Sequence, residues 1–145
     1  MKPITGEILI DAPNGTVFDF VADECNEPLY NRNMTRADKL TPGPIGVGTR
    51  FAAVMGKPKG TSVTIEFTAF DRPRTLTSYS QTNGMDIEGN LAFTPEGDRT
   101  KLAWVWKLHP HGALRLLGPV LWAMGSRQEL ANWTALKHYL ENSRS

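Results

Sequence analysis

Few residues of this chain are typed and spaced for chemistry. His109 and His111 flank Pro110 as a close histidine pair. Two imidazoles fall short of the three or four ligands a zinc ion takes, and neither an HExxH segment nor a cysteine cluster supplies the rest. Either histidine would serve as a general base if it faced a pocket, which the spacing does not establish. Asp86 and Glu88 are two apart on a strand-like segment and so share a face. Paired carboxylates can do acid–base work, but the alternation that turns Met85 and Ile87 inward turns these two to solvent. Ser126 lacks the histidine and aspartate context of a triad. The loop from Gly43 to Gly48 has no Gly-Lys-Ser/Thr ending and opens no helix, so it is not a phosphate cradle. Cys25 stands alone, which excludes an intrachain disulfide and a cysteine–zinc cluster; it reads as a small buried hydrophobe rather than a nucleophile. Arg127 and Gln128 interrupt an apolar helical run, where one of them would either reach a polar ligand group or meet solvent as an ordinary polar turn.

The totals narrow the setting. A length of 145 residues suits one domain over residues 1–145, with room for a core. A net charge of +1 gives no electrostatic footprint for nucleic acid, and no run of Lys or Arg suggests a membrane-surface patch. The segment Met1–Glu7 lacks the apolar stretch of a secretory signal. No window approaches the ~18 apolar residues of a bilayer span. The lone cysteine fits a cytoplasmic protein, and a homodimer is compatible with the sequence.

The elements that must position any site follow from periodicity. Ile4 to Ile10 reads as a strand with Ile4, Ile8 and Ile10 on one face. Pro13 opens a short helix carrying Val17, Phe18 and Val21. A second short helical turn lies between Asp23 and Asn33, followed by a polar edge strand, Thr35 to Leu40. Five strands then follow in hairpin order, at Arg50–Met55, Ser62–Phe70, Thr75–Thr82, Met85–Thr94 and Leu102–Leu108. Val63, Ile65 and Phe67 alternate cleanly with Thr64, Glu66 and Thr68, as in an antiparallel sheet with one wet face. The Thr75–Thr82 segment is too polar to assign its faces, and Gly89 within its strand suggests a bulge or bend. Finally, Gly112 to Ser143 reads as one long helix with Pro119 near its start; from Pro119 onward ~24 residues at ~1.5 Å each span ~36 Å. Its first half, with Leu117, Val120, Leu121, Trp122 and Met124, is apolar nearly all round. In its second half Leu130, Trp133, Leu136 and Leu140 alternate with Arg127, Gln128, Glu129, Lys137 and Glu141. Strands followed by a helix on one sheet face define an α+β class.

The pattern resembles the START-like (SRPBCC) superfamily, specifically its polyketide cyclase/dehydrase and lipid transport branch. The resemblance covers essentially the whole chain. Its most specific stretch is Gly43-Pro44-Ile45-Gly46-Val47-Gly48-Thr49-Arg50-Phe51. Ile10-Asp11-Ala12-Pro13 leading to Val17-Phe18-Asp19-Phe20, Phe70-Asp71-Arg72-Pro73-Arg74-Thr75-Leu76, and Leu136-Lys137-His138-Tyr139-Leu140-Glu141 support it. These are turns and packing positions rather than catalytic motifs. Where many members carry Trp in the two helical regions after the first strand, this chain has Phe18 and Tyr30.

The resemblance implies a helix-grip fold. A curved seven-stranded antiparallel sheet wraps the C-terminal helix, with two short helices between strands 1 and 2 and an apolar pocket between sheet and helix. Inward parity then directs Phe51, Ala53, Met55, Val63, Ile65, Phe67, Met85, Ile87, Trp104 and Trp106 to that pocket, opposed by Leu117, Val120, Leu121 and Met124. The expected function is binding, including transport, of a small hydrophobic molecule, lipid-like or polyketide-like, without a cofactor or metal. A polyketide cyclase or dehydratase is the alternative, using a few polar side chains for proton transfer. A ligand-free, co-chaperone-like interaction protein is the third.

Overall fold

In the computed structural model the described residues are 1–143. The elements run β1 (Ile4–Ile10), α1 (Asn14–Ala22), a 3₁₀ helix (Glu24–Leu29), β2 (Met34–Lys39), β3 (Arg50–Met55), β4 (Thr61–Asp71), β5 (Thr75–Gln81), β6 (Met85–Glu96), β7 (Arg99–Pro110), a second 3₁₀ helix (Gly112–Leu117) and α2 (Gly118–Asn142). The seven strands form one sheet in the order β1-β7-β6-β5-β4-β3-β2, with every neighbouring pair antiparallel. Register shifts between Met34 and Arg36 and between Phe67 and Ala69 bend the sheet at the β2–β3 and β4–β5 pairs. The helix-grip expectation holds: a curved antiparallel sheet with a long C-terminal helix against it.

The long helix is not continuous. Its first turn, Gly112–Leu117, is 3₁₀, and the α-helix begins at Gly118 with Pro119 in its first turn. Pro119 has no N–H to donate and its ring crowds the carbonyl four residues back, so an α ladder cannot run through it from Gly112. Gly125 does not interrupt the helix. It admits the Ile4 side chain, whose Cδ1 would lie 2.6 Å from a Cβ placed there.

One end of the molecule is solidly packed. Phe18 of α1 sits edge-on between Phe70 and Phe93, at centroid distances of 5.2 and 5.0 Å. Phe51 and Phe67 pack 5.4 Å apart, and Trp104 lies 6.0 Å from Trp133 of α2. The second half of α2 grips this core through Trp133, Leu136 and Leu140. Lys137 donates to the Leu9 carbonyl and pairs with Glu141, whose carboxylate accepts the Asp11 N–H. Leu130, expected on the gripping stripe, is exposed.

Gly89 marks no bulge. It pairs in register with Ser78 on one side and Trp106 on the other. A Cβ at Gly89 would fall 1.5 Å from Trp106 Cζ3, and one at Gly6 would fall 2.3 Å from Trp104 Cζ2. Each glycine therefore lets an indole from β7 lie flat across the neighbouring strand.

Candidate functional site

Toward the other end, sheet and helix part. Between them lies a cavity of about 1130 Å³, at the upper end of the ~300–1,000 Å³ usual for small-molecule sites. Of the residues directed there by parity and helical phase, Met55, Val63, Ile65, Phe67, Met85, Ile87, Trp106, Leu121 and Met124 line it. Five do not. Phe51, Ala53 and Trp104 are sealed into the packed end. Leu117 and Val120 face away, 45% and 52% exposed. Helical phase explains the last two. The cavity stripe of α2 runs Leu121, Gly125, Gln128 and Asn132; Val120 stands about 100° round the helix from Leu121, and Leu117 belongs to the 3₁₀ turn, whose tighter winding breaks the phase. The apolar first half of α2 is thus only partly a roof, and Met124, though it lines the cavity, is 65% exposed.

The polar break in α2 divides as well. Gln128 lines the cavity and donates to Asn132 at 2.9 Å; Arg127 is exposed outside it. The β5 strand, too polar to assign from its sequence, turns Leu76, Ser78 and Ser80 inward onto the cavity.

A group of ionisable side chains lines the cavity where the first 3₁₀ helix meets α2, and sequence patterning did not single these residues out as a site. Glu24, Glu27, Tyr30 and Asn31 come from the 3₁₀ helix and the residues after it; Glu129, Asn132 and Trp133 come from α2. Glu27 accepts a hydrogen bond from Asn31 Nδ2 at 2.7 Å. Burial raises the Glu24 carboxyl well above its ordinary value, and the charge of the adjacent Glu27 adds to the effect. Burial likewise raises the Tyr30 phenol, with the Glu27, Glu24 and Glu129 charges reinforcing it. Burial, and then the Glu27 charge, push Glu129 up to about 8. The indole N–H groups of Trp106 and Trp133 lie close enough to Glu129 to oppose that rise, yet neither closes a well-formed hydrogen bond.

Glu129 was legible by phase. The buried stripe Trp133, Leu136, Leu140 extended back one turn arrives at Glu129, not Leu130. A half-buried carboxylate in phase with the core stripe is the kind of exception that marks a site. No periodicity marks Glu24 or Glu27, because a six-residue 3₁₀ turn is too short to carry a pattern.

The other chemical candidates stay outside. Asp86 accepts from the Tyr79 hydroxyl at 2.7 Å and lies 3.4 Å from His111 Nε2, away from the cavity. Glu88 is exposed on the opposite face of the sheet. His109 and His111 are exposed, and among the described residues no three His, Cys, Asp or Glu side chains are grouped to hold a metal ion. Cys25 is exposed rather than buried; its N–H is taken by the Asp23 carboxylate capping the 3₁₀ helix, and the side chain falls on the outer side of that turn. No helix among the described residues is long and apolar enough to cross a membrane.

A family model described as polyketide cyclase / dehydrase and lipid transport matches residues 1–141. No curated protein matches the chain significantly. Among solved structures, a START superfamily protein from Mycobacterium smegmatis superposes with a TM-score of 0.85 at 14% identity, covering 98% of this chain and 99% of that one. A protein of Thermus thermophilus gives 0.83 at 18% identity, covering 99% of each chain. The Zhui aromatase/cyclase of a Streptomyces species gives 0.82 at 15% identity, covering 99% of this chain and 96% of that one. At these identities the likeness is one of fold.

Proposed function

From its membership of the polyketide cyclase/dehydrase and lipid transport family, we propose that this protein binds a small hydrophobic molecule, lipid-like or polyketide-like, in the cavity between sheet and α2. The observation that carries this reading is the cavity itself, a cleft of about 1130 Å³ between sheet and α2 beside an interior that is otherwise close-packed. Its walls include Met55, Met85 and Met124, whose flexible side chains adapt to varied apolar shapes. Such a cavity is unneeded in a ligand-free interaction protein, which counts against that alternative. The working compartment in this reading is the cytoplasm, where a free, exposed Cys25 stays reduced.

The test is organic extraction of the purified protein followed by mass spectrometry, with titration of a hydrophobic fluorescent dye in parallel. The expected result is a co-purifying apolar molecule and a saturable dye site competed by it. An empty extract together with no saturable dye binding overturns the reading.

One observation supports the cyclase or dehydratase reading as a second. A carboxyl poised at about 8 beside a buried phenol is suited to proton transfer near neutral pH. Turnover of a poly-β-ketone analogue that is lost in Glu129→Gln would favour it over binding alone.

A further inference from the structure

The acidic end of the cavity gathers carboxyl groups that no cationic side chain answers. Glu24 and Glu27 approach from the 3₁₀ helix and Glu129 from α2, and none forms an ion pair among the described residues. Arg32, Lys57 and His138 also line the cavity, but none reaches a carboxylate within ion-pair distance. The carboxyls are not grouped to ligate one metal ion. Aromatic groups complete the surround. Tyr30 is only 6% exposed, with its ring centroid 6.0 Å from that of Trp133. Trp133 is 5% exposed, and its Nε1 is buried without a partner, as are Trp106 Nε1 and Glu24 Oε2. The open acceptor, Glu24 Oε2, points to a donor supplied from outside, whereas the two indole N–H groups are donors whose nearest acceptor is the Glu129 carboxyl.

We infer that the cavity selects apolar molecules that carry a protonated amine, the ammonium seated among Glu24, Glu27 and Glu129 against the rings of Tyr30 and Trp133. This deepens the binding reading above and rests on it. Carboxylates with aromatic faces form the usual surround for an ammonium. The Glu27 charge raises Glu24, Tyr30 and Glu129 together, so one cation placed among them relieves all three. The indole N–H groups beside Glu129 fit the same picture, since they support its ionised form, the form a bound cation calls for. A neutral carbonyl would meet these donors but leave the Glu27 charge unanswered.

The test uses three probes on one apolar body: anthracenylmethylamine, anthracenylmethanol and anthracene carboxylate, each titrated against the intact protein by quenching of tryptophan emission. The amine is expected to bind at least ~10-fold more tightly than the alcohol, a difference of ~1.4 kcal/mol, and the carboxylate most weakly. Because the amine must displace the Glu129 proton, its affinity rises by up to about tenfold per pH unit between about pH 6 and pH 8, while that of the alcohol stays level. Glu129→Gln flattens that slope, and Glu27→Gln brings the amine-to-alcohol ratio toward one. The wild-type probe order and pH profile decide the matter even where a variant fails to fold. Equal binding of amine and alcohol, or tightest binding of the carboxylate, overturns the inference and leaves the hydrophobic-binding reading standing. Failure of all three to bind overturns the inference, and together with an empty organic extract it overturns the hydrophobic-binding reading as well.

Discussion

Replacing Glu129 by Gln is expected to change how the protein's stability depends on pH. Burial lifts this carboxyl from 4.5 to about 8 in the folded protein, and unfolding returns it to its ordinary value. Between those limits the folded state keeps a proton that the unfolded state has released. Stability from this group is therefore complete below about pH 4.5 and is lost as pH climbs through that window to about 8, after which it is flat. The gap, at ~1.4 kcal/mol per pH unit, sets a ceiling of roughly 5 kcal/mol. Water in the cavity and the two indole N–H groups soften the penalty on the anion, so a loss of about 2–3 kcal/mol is expected. Glutamine has no charge to acquire and escapes this loss. Urea denaturation of both proteins at about pH 5, 7 and 9, monitored by circular dichroism, measures the difference; Glu24 titrates in both and cancels. Relative to wild type, the variant should gain about 2–3 kcal/mol between the ends of the series, or ~1–2 M in urea midpoint. A wild-type-minus-variant difference that stays constant within about 0.5 kcal/mol from about pH 5 to pH 9 would refute a buried, proton-holding Glu129.

Gly89→Ala places a methyl 1.5 Å from a ring carbon of Trp106; the indole must leave its strand, and urea denaturation should show a loss of about 1–3 kcal/mol with altered tryptophan emission. Gly125→Ala is expected to be milder, because the obstructing atom is the flexible end of Ile4 and alanine favours the helix by ~1 kcal/mol; its midpoint in the same assay should shift less than that of Gly89→Ala. Phe18→Ala removes a ring with no exposed surface from between Phe70 and Phe93 and should cost about 3–5 kcal/mol by thermal or urea unfolding. Leu121→Trp narrows the cavity from α2 and should weaken saturable dye binding with the circular dichroism spectrum intact, whereas Val120→Ser, outside the cavity, should change neither dye affinity nor stability by more than about 0.5 kcal/mol.

The fold was legible because its signals are local and repeated. Alternation in β3, β4, β6 and β7, turn residues between them and an amphipathic final helix each point the same way. The cavity was legible only in part. Strand parity says which face a residue takes, not how far along that face the packing ends, so Phe51 and Trp104 share a face with Met55 and Trp106 yet lie in the solid half of the molecule. Leu117 and Val120 were misplaced because an all-round apolar segment has no phase of its own; only the grip of Trp133, Leu136 and Leu140 sets the rotation of α2. The acidic group was least legible. Its members meet across a sequence separation of about a hundred residues, and nothing local to Glu24 or Glu27 signals that Glu129 will face them.

The cavity follows from a gradient in side-chain size along the strands. On β4 the inward series falls from Phe67 and Ile65 to Val63, and on β5 from Leu76 to Ser78 and Ser80. Large residues at one end fill the space under α2; small ones at the other leave it open. The helix reinforces the taper, with its buried residues all between Asn132 and Leu140 while Met124 and Val120 stand exposed. Helical phase then governs what the open end contains. Since Trp133, Leu136 and Leu140 must face the core, Glu129 one turn earlier must face inward too, where the core has given way to cavity. Its burial is thus a consequence of the same packing that holds the helix, and a protein selected for stability alone would carry leucine there. Glu129→Leu should accordingly raise stability near about pH 8, by removing a buried charge, while removing the amine preference; a Leu variant less stable than wild type at that pH would show that the carboxyl is held in place for packing rather than for a ligand.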